Sequence, residues 1–401
     1  MALFLFFPPL TLLAVTIPFL ARITTQTTQS VGLQVGRLSA ISTVGSVIGT
    51  LLISYLLIPL APNTYTMIMV VALEIVLVAV YFLIFEKGFK QTPGVLPGIL
   101  AGMVICGIAG RVEAVKSPSI GKELFRKNSN FGLMQVVDSP SGNVRYYLND
   151  YLTQNIFDPK EDKSLTVFTY MLRGLTHAYH PSPEKVLCIG LGVGIVPMQL
   201  AKEGSTIDVV EINPGVVEIG EKFFGLDKST FNLHLEDGRY FLNASKEEYD
   251  VVILDAFLGD SSPSHLMSRE CFESMSQRME NDAVLVINAF GHFSEGEDFF
   301  MASLDKTLRA VFKSVHIHDG TRGNVFFVAS KKEGLEPHRS MDMSEVHPKL
   351  IPFVETAWKN TIDANPESGI ILTDNYNPVE YYDSKIREEI RLNFALNMRG
   401  K

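Results

Sequence analysis

The chain has 401 residues, 46% apolar and 20% charged, with a formal net charge of −9. Of its 35 basic and 44 acidic residues only six (Arg22, Arg37, Glu74, Glu86, Lys87 and Lys90) lie in residues 1–110. That asymmetry excludes a single soluble domain, a disordered chain and a nucleic-acid binder held by bulk positive charge, and it implies a membrane part followed by an acidic globular part with its own core.

In chain order, residues 3–23, 38–60 and 66–85 are each close to the ~20 apolar residues a helix needs to cross a bilayer. Residues 94–110 form a shorter, glycine-rich run. These predict a helical transmembrane region over 1–112, multi-pass, with about four helices; three spans and one interfacial segment is the alternative. Gly45-x-x-x-Gly49, with Ser42 and Ser46 at helical spacing, suits close helix approach inside the bundle or across a homodimer. Glu74 is a charge within a span and receives no site role. Orientation is pulled two ways. Arg22, Arg37, Lys87 and Lys90 place the first and third loops in the cytoplasm, which puts the globular part outside. The larger group Arg111, Lys116, Lys122, Arg126 and Lys127 places it inside. Cys106, Cys188 and Cys271 show no C-x-x-C spacing, which argues against a disulfide framework or zinc site and fits a reducing compartment.

Residues 113–158 predict a small N-terminal β-hairpin subdomain. Strands at 134–137 and 144–148 flank the turn residues Asp138-Ser139-Pro140-Ser141-Gly142. Over 159–335 short apolar strands (186–189, 207–212, 231–235, 251–254, 284–287) alternate with amphipathic helices (196–202, 216–224, 298–312). That pattern predicts an α/β fold with a doubly wound, Rossmann-like sheet. Strands at 315–317 and 325–328, joined by a tight link, predict an antiparallel edge hairpin, as in sheets that bind S-adenosylmethionine-type nucleosides. Residues 336–401 read as a helical extension with a loop at 372–378.

The nucleoside-site residues fall at successive strand ends. Gly190-Leu191-Gly192-Val193-Gly194 follows the first strand and opens a helix, where glycines let a ligand approach backbone N–H groups. Glu211, 21 residues after Gly190, ends the second strand, where an acid accepts from ribose hydroxyls. Asp237-Gly238 ends the third, within reach of an adenine amine, and Asp255 ends the fourth. The G-x-G-x-G spacing and the Asp237-Gly238 pair favour an S-adenosyl ligand over NAD. His316 and His318 share a strand face without a third ligand, so no metal site is predicted. His265 lies in a loop able to close over the site. Ser261-Ser262 lacks the G-x-S-x-G setting of a hydrolase.

Residues 124–332 resemble the polyamine aminopropyltransferase family, the spermidine and spermine synthases. The matching pieces are Leu148-Asn149-Asp150 with Gln154, the glycine loop, Val210-Glu211-Ile212-Asn213, Glu236-Asp237-Gly238-Arg239 and the run from Tyr249 to Asp255. The segment from Asp255 through Asp260, Pro263, His265 and Leu266, and Leu372-Thr373-Asp374-Asn375-Tyr376-Asn377-Pro378, look most like a bacterial subgroup fused to a multi-pass membrane domain. The resemblance implies transfer of an aminopropyl group from decarboxylated S-adenosylmethionine to a polyamine or related amine, with no tightly bound cofactor. Asp255 is then the base, and Gln154 and Asp260 lie on the acceptor side. The chain departs from the family pattern at Val193, where an acid usually holds the donor's amine. It departs again at Phe168-Thr169-Tyr170, at Gly132 and in the stretched run from Asp255 to Asp260. The adenosine half is intact and the polyamine half altered. An S-adenosylmethionine-dependent methyltransferase and a non-catalytic nucleoside-binding membrane protein are therefore the competing readings. Both donors are cytosolic, so the globular part is expected to face the cytoplasm.

Overall fold

The computed structural model describes all residues except 1, 26–29, 62, 85–94, 116–120, 258–261, 294–297, 321–322, 363–367, 383, 385–386, 389–391 and 393–401. The chain divides into two compact units, Met1–Ala114 and Val115–Lys401.

The first unit is built of helices at each of the four apolar runs, Ala2–Thr24, Val31–Leu60, Asn63–Ile84 and Val95–Val115. Two stretches, Val31–Leu60 and Thr64–Phe82, are long and apolar enough to cross a membrane, whereas Leu13–Thr24 and Pro97–Arg111 are shorter. The second helix widens to a π-turn at Ile53–Leu57, with the Ile58 N–H reaching back to Ile53 O just before Pro59. A proline cannot donate to the ladder, and a local change of pitch accommodates it. Among the described residues of this unit only Thr66 is buried. Apolar side chains face outward instead, Ile41 being 70% and Leu60 79% exposed.

Among the described residues of one chain the small-residue stripe meets no neighbour. A Cβ added at Gly45 or Gly49 would meet nothing within 4 Å. In the glycine-rich fourth helix a Cβ added at Gly102 would stand 3.2 Å from the Ile75 side chain, and one at Gly110 would stand 3.6 Å from Ile68. Small residues permit contact; the bulky partner across the gap decides where it happens.

The second unit opens with an antiparallel five-stranded sheet in sequential order: β1 (Lys122–Ser129), β2 (Gly132–Asp138), β3 (Arg145–Asn149), β4 (Leu152–Asp158) and β5 (Lys163–Ser164). The anticipated hairpin is its β2–β3 pair. The flanking strands lack clean alternation, β1 being interrupted by charged residues and β4 by polar ones. Two of the β1 charges have partners within this unit: Arg126 binds Glu123 of the same strand at 3.0 Å, and Lys127 binds Glu218, far along the chain, at 2.8 Å. They therefore serve the fold as well as any membrane-flanking role.

The larger sheet comprises β6 (Lys185–Ile189), β7 (Thr206–Val210), β8 (Asn232–His234), β9 (Tyr249–Leu254), β10 (Met279–Phe290), β11 (Ser314–Asp319) and β12 (Asn324–Ser330), ordered β11-β12-β10-β9-β6-β7-β8. β6 to β10 pair in parallel, and β12 runs antiparallel to both β10 and β11. This is a Rossmann-type mixed sheet with the expected edge hairpin. Helices cover both faces, giving one core around Leu172, Val186 and Val209 and another around Leu187, Val252 and Phe272. Residues 336–401 follow the sheet. In their described part a helix spans Ile351–Lys359, turns and extended chain follow through the 372–378 loop, and helical residues recur at 379–382, 384, 387–388 and 392.

Candidate active site

The chain order reverses between β6 and β9, and there the strand ends open into a crevice. A cavity of about 260 Å³ occupies it. One part lies over β6, β7 and β8. Gly190 leaves β6 with φ +100°, and a Cβ there would stand 2.1 Å from the Asp255 carbonyl oxygen. Only glycine fits that crossing. Gly194, at φ +87°, caps the helix Ile195–Lys202 and lies outside the cavity wall, whereas Gly190 and Gly192 line it.

Glu211 is buried at the end of β7 and accepts from the Leu191 N–H at 3.0 Å and the Asn213 N–H at 2.7 Å. Burial raises its pKa against the lowering effect of these N–H groups. Each carboxylate oxygen keeps a lone pair for a ligand hydroxyl. The carboxylate thus ties the glycine loop to β7 as well as facing the cavity.

Asp237 caps the helix Gly238–Ala244 through the Tyr240 N–H at 2.9 Å, and its other oxygen lies 2.9 Å from His265 Nε2. Burial works to raise its pKa, but the Tyr240 N–H and His265 outweigh it and hold the carboxyl below its ordinary value. A cap and a loop latch are therefore combined in one side chain. The loop is held from behind by the C-terminal segment. Arg239 grips Asp374 through two bonds at 2.6 and 2.5 Å, Ser268 donates to Asp374 at 2.6 Å, and Asn377 donates to the Ser264 carbonyl at 2.8 Å.

The other part of the cavity lies over β9, β10 and β12. Asp255 leaves β9 and accepts from Asn288 Nδ2 at 2.9 Å. Asn324 Nδ2 in turn donates to Asn288 Oδ1 at 2.9 Å, which fixes the amide with its donor toward the carboxylate. Burial raises the Asp255 pKa from 3.8 to about 6, with Asn288 pulling it down. The carboxyl lies deep within the unit yet opens partly to the cavity. Phe257 and Phe290 line the same part of the cavity, their rings tilted by 40° with centroids 4.7 Å apart. Neither asparagine was singled out from the sequence. The available signal was their place at the ends of strands β10 and β12, the rule that singled out Asp255.

Gln154 lines the cavity from β4, as do Asp237 and Gly238. Asp260 lies outside the described residues. Val193 is buried, and Phe168 lines the cavity. His318 is a core residue, bonded to Tyr179 Oη and the Trp358 carbonyl, each at 3.0 Å. Among the described residues no cluster of His, Cys, Asp or Glu suits a metal ion.

Residues 166–318 match the model of the spermine/spermidine synthase domain. A polyamine aminopropyltransferase of Vibrio vulnificus is 31% identical over 236 residues, covering 55% of this chain and 77% of the relative. The chain belongs to the polyamine aminopropyltransferase family. Spermine synthase of Arabidopsis thaliana is 24% identical over 271 residues, covering 62% of this chain and 73% of its own. Spermidine synthase of Thermotoga maritima, a solved structure, aligns with a TM-score of 0.46 at 19% identity, over 69% of this chain and 87% of its own. In all three alignments part of this chain remains unmatched, and the first unit falls outside the family domain.

Proposed function

We propose that the second unit transfers an aminopropyl group from decarboxylated S-adenosylmethionine to a small amine, and that the first unit anchors the enzyme in the cell membrane. The carrying observation is the Asp255 carboxylate, set at the switch point between the two parts of the cavity and held by Asn288. An ammonium has no lone pair, so the acceptor must first lose a proton. Asp255 takes it. The freed lone pair then forms a bond to the propyl carbon next to the donor's sulfonium. The carbon–sulfur bond breaks, and its electrons neutralise the sulfur, leaving methylthioadenosine. A base with a pKa raised to about 6 suits this work near neutral pH better than an ordinary carboxylate. Glu211 binds the ribose, and the edges of Asp237 and Gly238 face the base of the nucleoside. Gln154, which lines the cavity, is assigned to the acceptor side, and the family resemblance assigns Asp260 there as well.

Buried Val193 supports a second reading, because an apolar residue gives the donor's propylamine no anionic partner and leaves intact S-adenosylmethionine admissible. The test is to incubate the full chain with each donor and an amine, then identify the nucleoside product by mass. Methylthioadenosine supports aminopropyl transfer, S-adenosylhomocysteine supports methyl transfer, and neither product supports a binding protein. Membrane attachment is supported by the outward apolar surface of the first unit and its two long apolar helices. A cytoplasmic placement of the second unit follows from its cytosolic donor.

A further inference from the structure

We propose that Asp374 is a positioning residue for the donor: from a C-terminal segment beyond the matched family domain it seats the loop 263–268, and through it His265, over the nucleobase end of the cavity. This rests on the nucleoside-binding part of the proposed function. Pro263, His265 and Leu266 line the cavity, and His265 Nε2 lies 2.9 Å from Asp237, the carboxylate set at the base. The loop is seated from outside. The family domain matches residues 166–318, whereas the ties to the loop come from residues 372–380.

Asp374 accepts two bonds from Arg239 and one from Ser268 Oγ, at 2.6, 2.5 and 2.6 Å. Arg239 also donates to the His265 carbonyl at 3.3 Å. One guanidinium therefore bridges the C-terminal segment and the backbone of the residue that reaches Asp237. Asn377 donates to the Ser264 carbonyl at 2.8 Å, and Ser264 Oγ donates to Glu380 at 2.9 Å. The segment is itself fixed. Leu372 and Val379 are buried in the second core, the Leu372 N–H donates to Thr307 Oγ1 at 2.9 Å, and the Asp374 N–H donates to Glu270 at 3.0 Å. A lone surface ion pair contributes little. Here three charge-assisted bonds meet on one carboxylate. The Arg239 guanidinium holds that carboxyl below its ordinary pKa, so it is ionised at neutral pH. Without these ties the ligand must order the loop, and the entropy of ordering is subtracted from donor affinity. A loop seated only about a tenth of the time lowers affinity about tenfold.

The test reads methylthioadenosine binding by calorimetry and donor kinetics, both on the full chain. Asp374→Ala should raise the Kd for methylthioadenosine and the KM for decarboxylated S-adenosylmethionine by at least about tenfold. Its kcat at saturating donor should stay within about threefold, with the amine KM unmoved, as loss of uniform donor binding requires. Glu203→Gln, which removes the charge paired with Arg173 away from the cavity, should leave all four values as they are. In a His265→Ala background Asp374→Ala should cost only about threefold or less, because the contact it seats is already gone. Unchanged donor affinity in a folded Asp374→Ala protein overturns this proposal and leaves the transfer reading standing. So does an equal loss in Glu203→Gln, or a full tenfold loss on top of His265→Ala. If Asp374→Ala does not fold, Asn377→Ala, which removes the tie to Ser264 alone, should weaken methylthioadenosine binding about threefold or more; unchanged affinity there is equally decisive against the proposal. An unaltered chain that binds methylthioadenosine but makes none from any amine overturns the transfer reading and not this one. An unaltered chain that does not bind it overturns the nucleoside site, and this proposal with it.

Discussion

Replacing Asp255 by Asn should make the protein more stable and nearly inactive at once. The carboxyl's pKa stands at about 6 instead of 3.8, chiefly because burial disfavours its charged form. The folded protein therefore holds the proton more tightly than the unfolded chain. Stability from this group is fully present below the unfolded value and is lost as pH rises through the folded one. Two pKa units at about 1.4 kcal/mol each set an upper figure of roughly 3 kcal/mol of destabilisation at neutral pH. Water in the cavity screens part of it, so about 1–3 kcal/mol is expected. Asn removes the charge and keeps an oxygen to accept from Asn288. Thermal unfolding of the detergent-solubilised full chain should show a higher Tm for Asp255→Asn at pH 7.5, with the gap closing by pH 4. Turnover on the same preparation should fall at least about 10²-fold, the usual scale for loss of a general base, with donor affinity nearly unchanged. A variant that is less stable at pH 7.5 and turns over normally per folded molecule would show that Asp255 serves only the strand end.

Three further outcomes are expected. Asn288→Leu removes a hydrogen bond to a charged group, worth roughly 1.5–3 kcal/mol, and should move the acid limb of the kcat profile upward by about 1–2 pH units, with activity recovered at high pH; an unmoved limb would separate Asn288 from the base. Glu211→Gln should weaken donor binding by about ten- to a hundredfold in calorimetry, since it loses a charged acceptor for the ribose; unchanged affinity removes Glu211 from the nucleoside site. A reporter enzyme active only in the periplasm, fused after Lys401, should be silent, and a strong signal would place the second unit outside.

The strand ends were legible from the chain because a parallel sheet writes itself as short apolar runs, and the residue closing each run must emerge at one edge. Gly190, Glu211, Asp237 and Asp255 follow from that rule alone. The apolar character of residues 1–110 is equally local, being a matter of composition. Packing decided the rest. β1 carries Lys127, whose partner Glu218 lies far along the chain, and β4 mixes polar and apolar residues without alternation, so no window shows either strand. The loop at 372–378 was legible from its turn residues, but its attachment was not: Asp374 and Asn377 are held by bonds to Arg239, Ser268 and Ser264, more than a hundred residues away. The tuning of Asp255 is likewise a tertiary property. Its base strength depends on burial and on an amide from β10 that is itself turned by one from β12. A sequence names the carboxylate; three strands brought side by side set when it holds its proton.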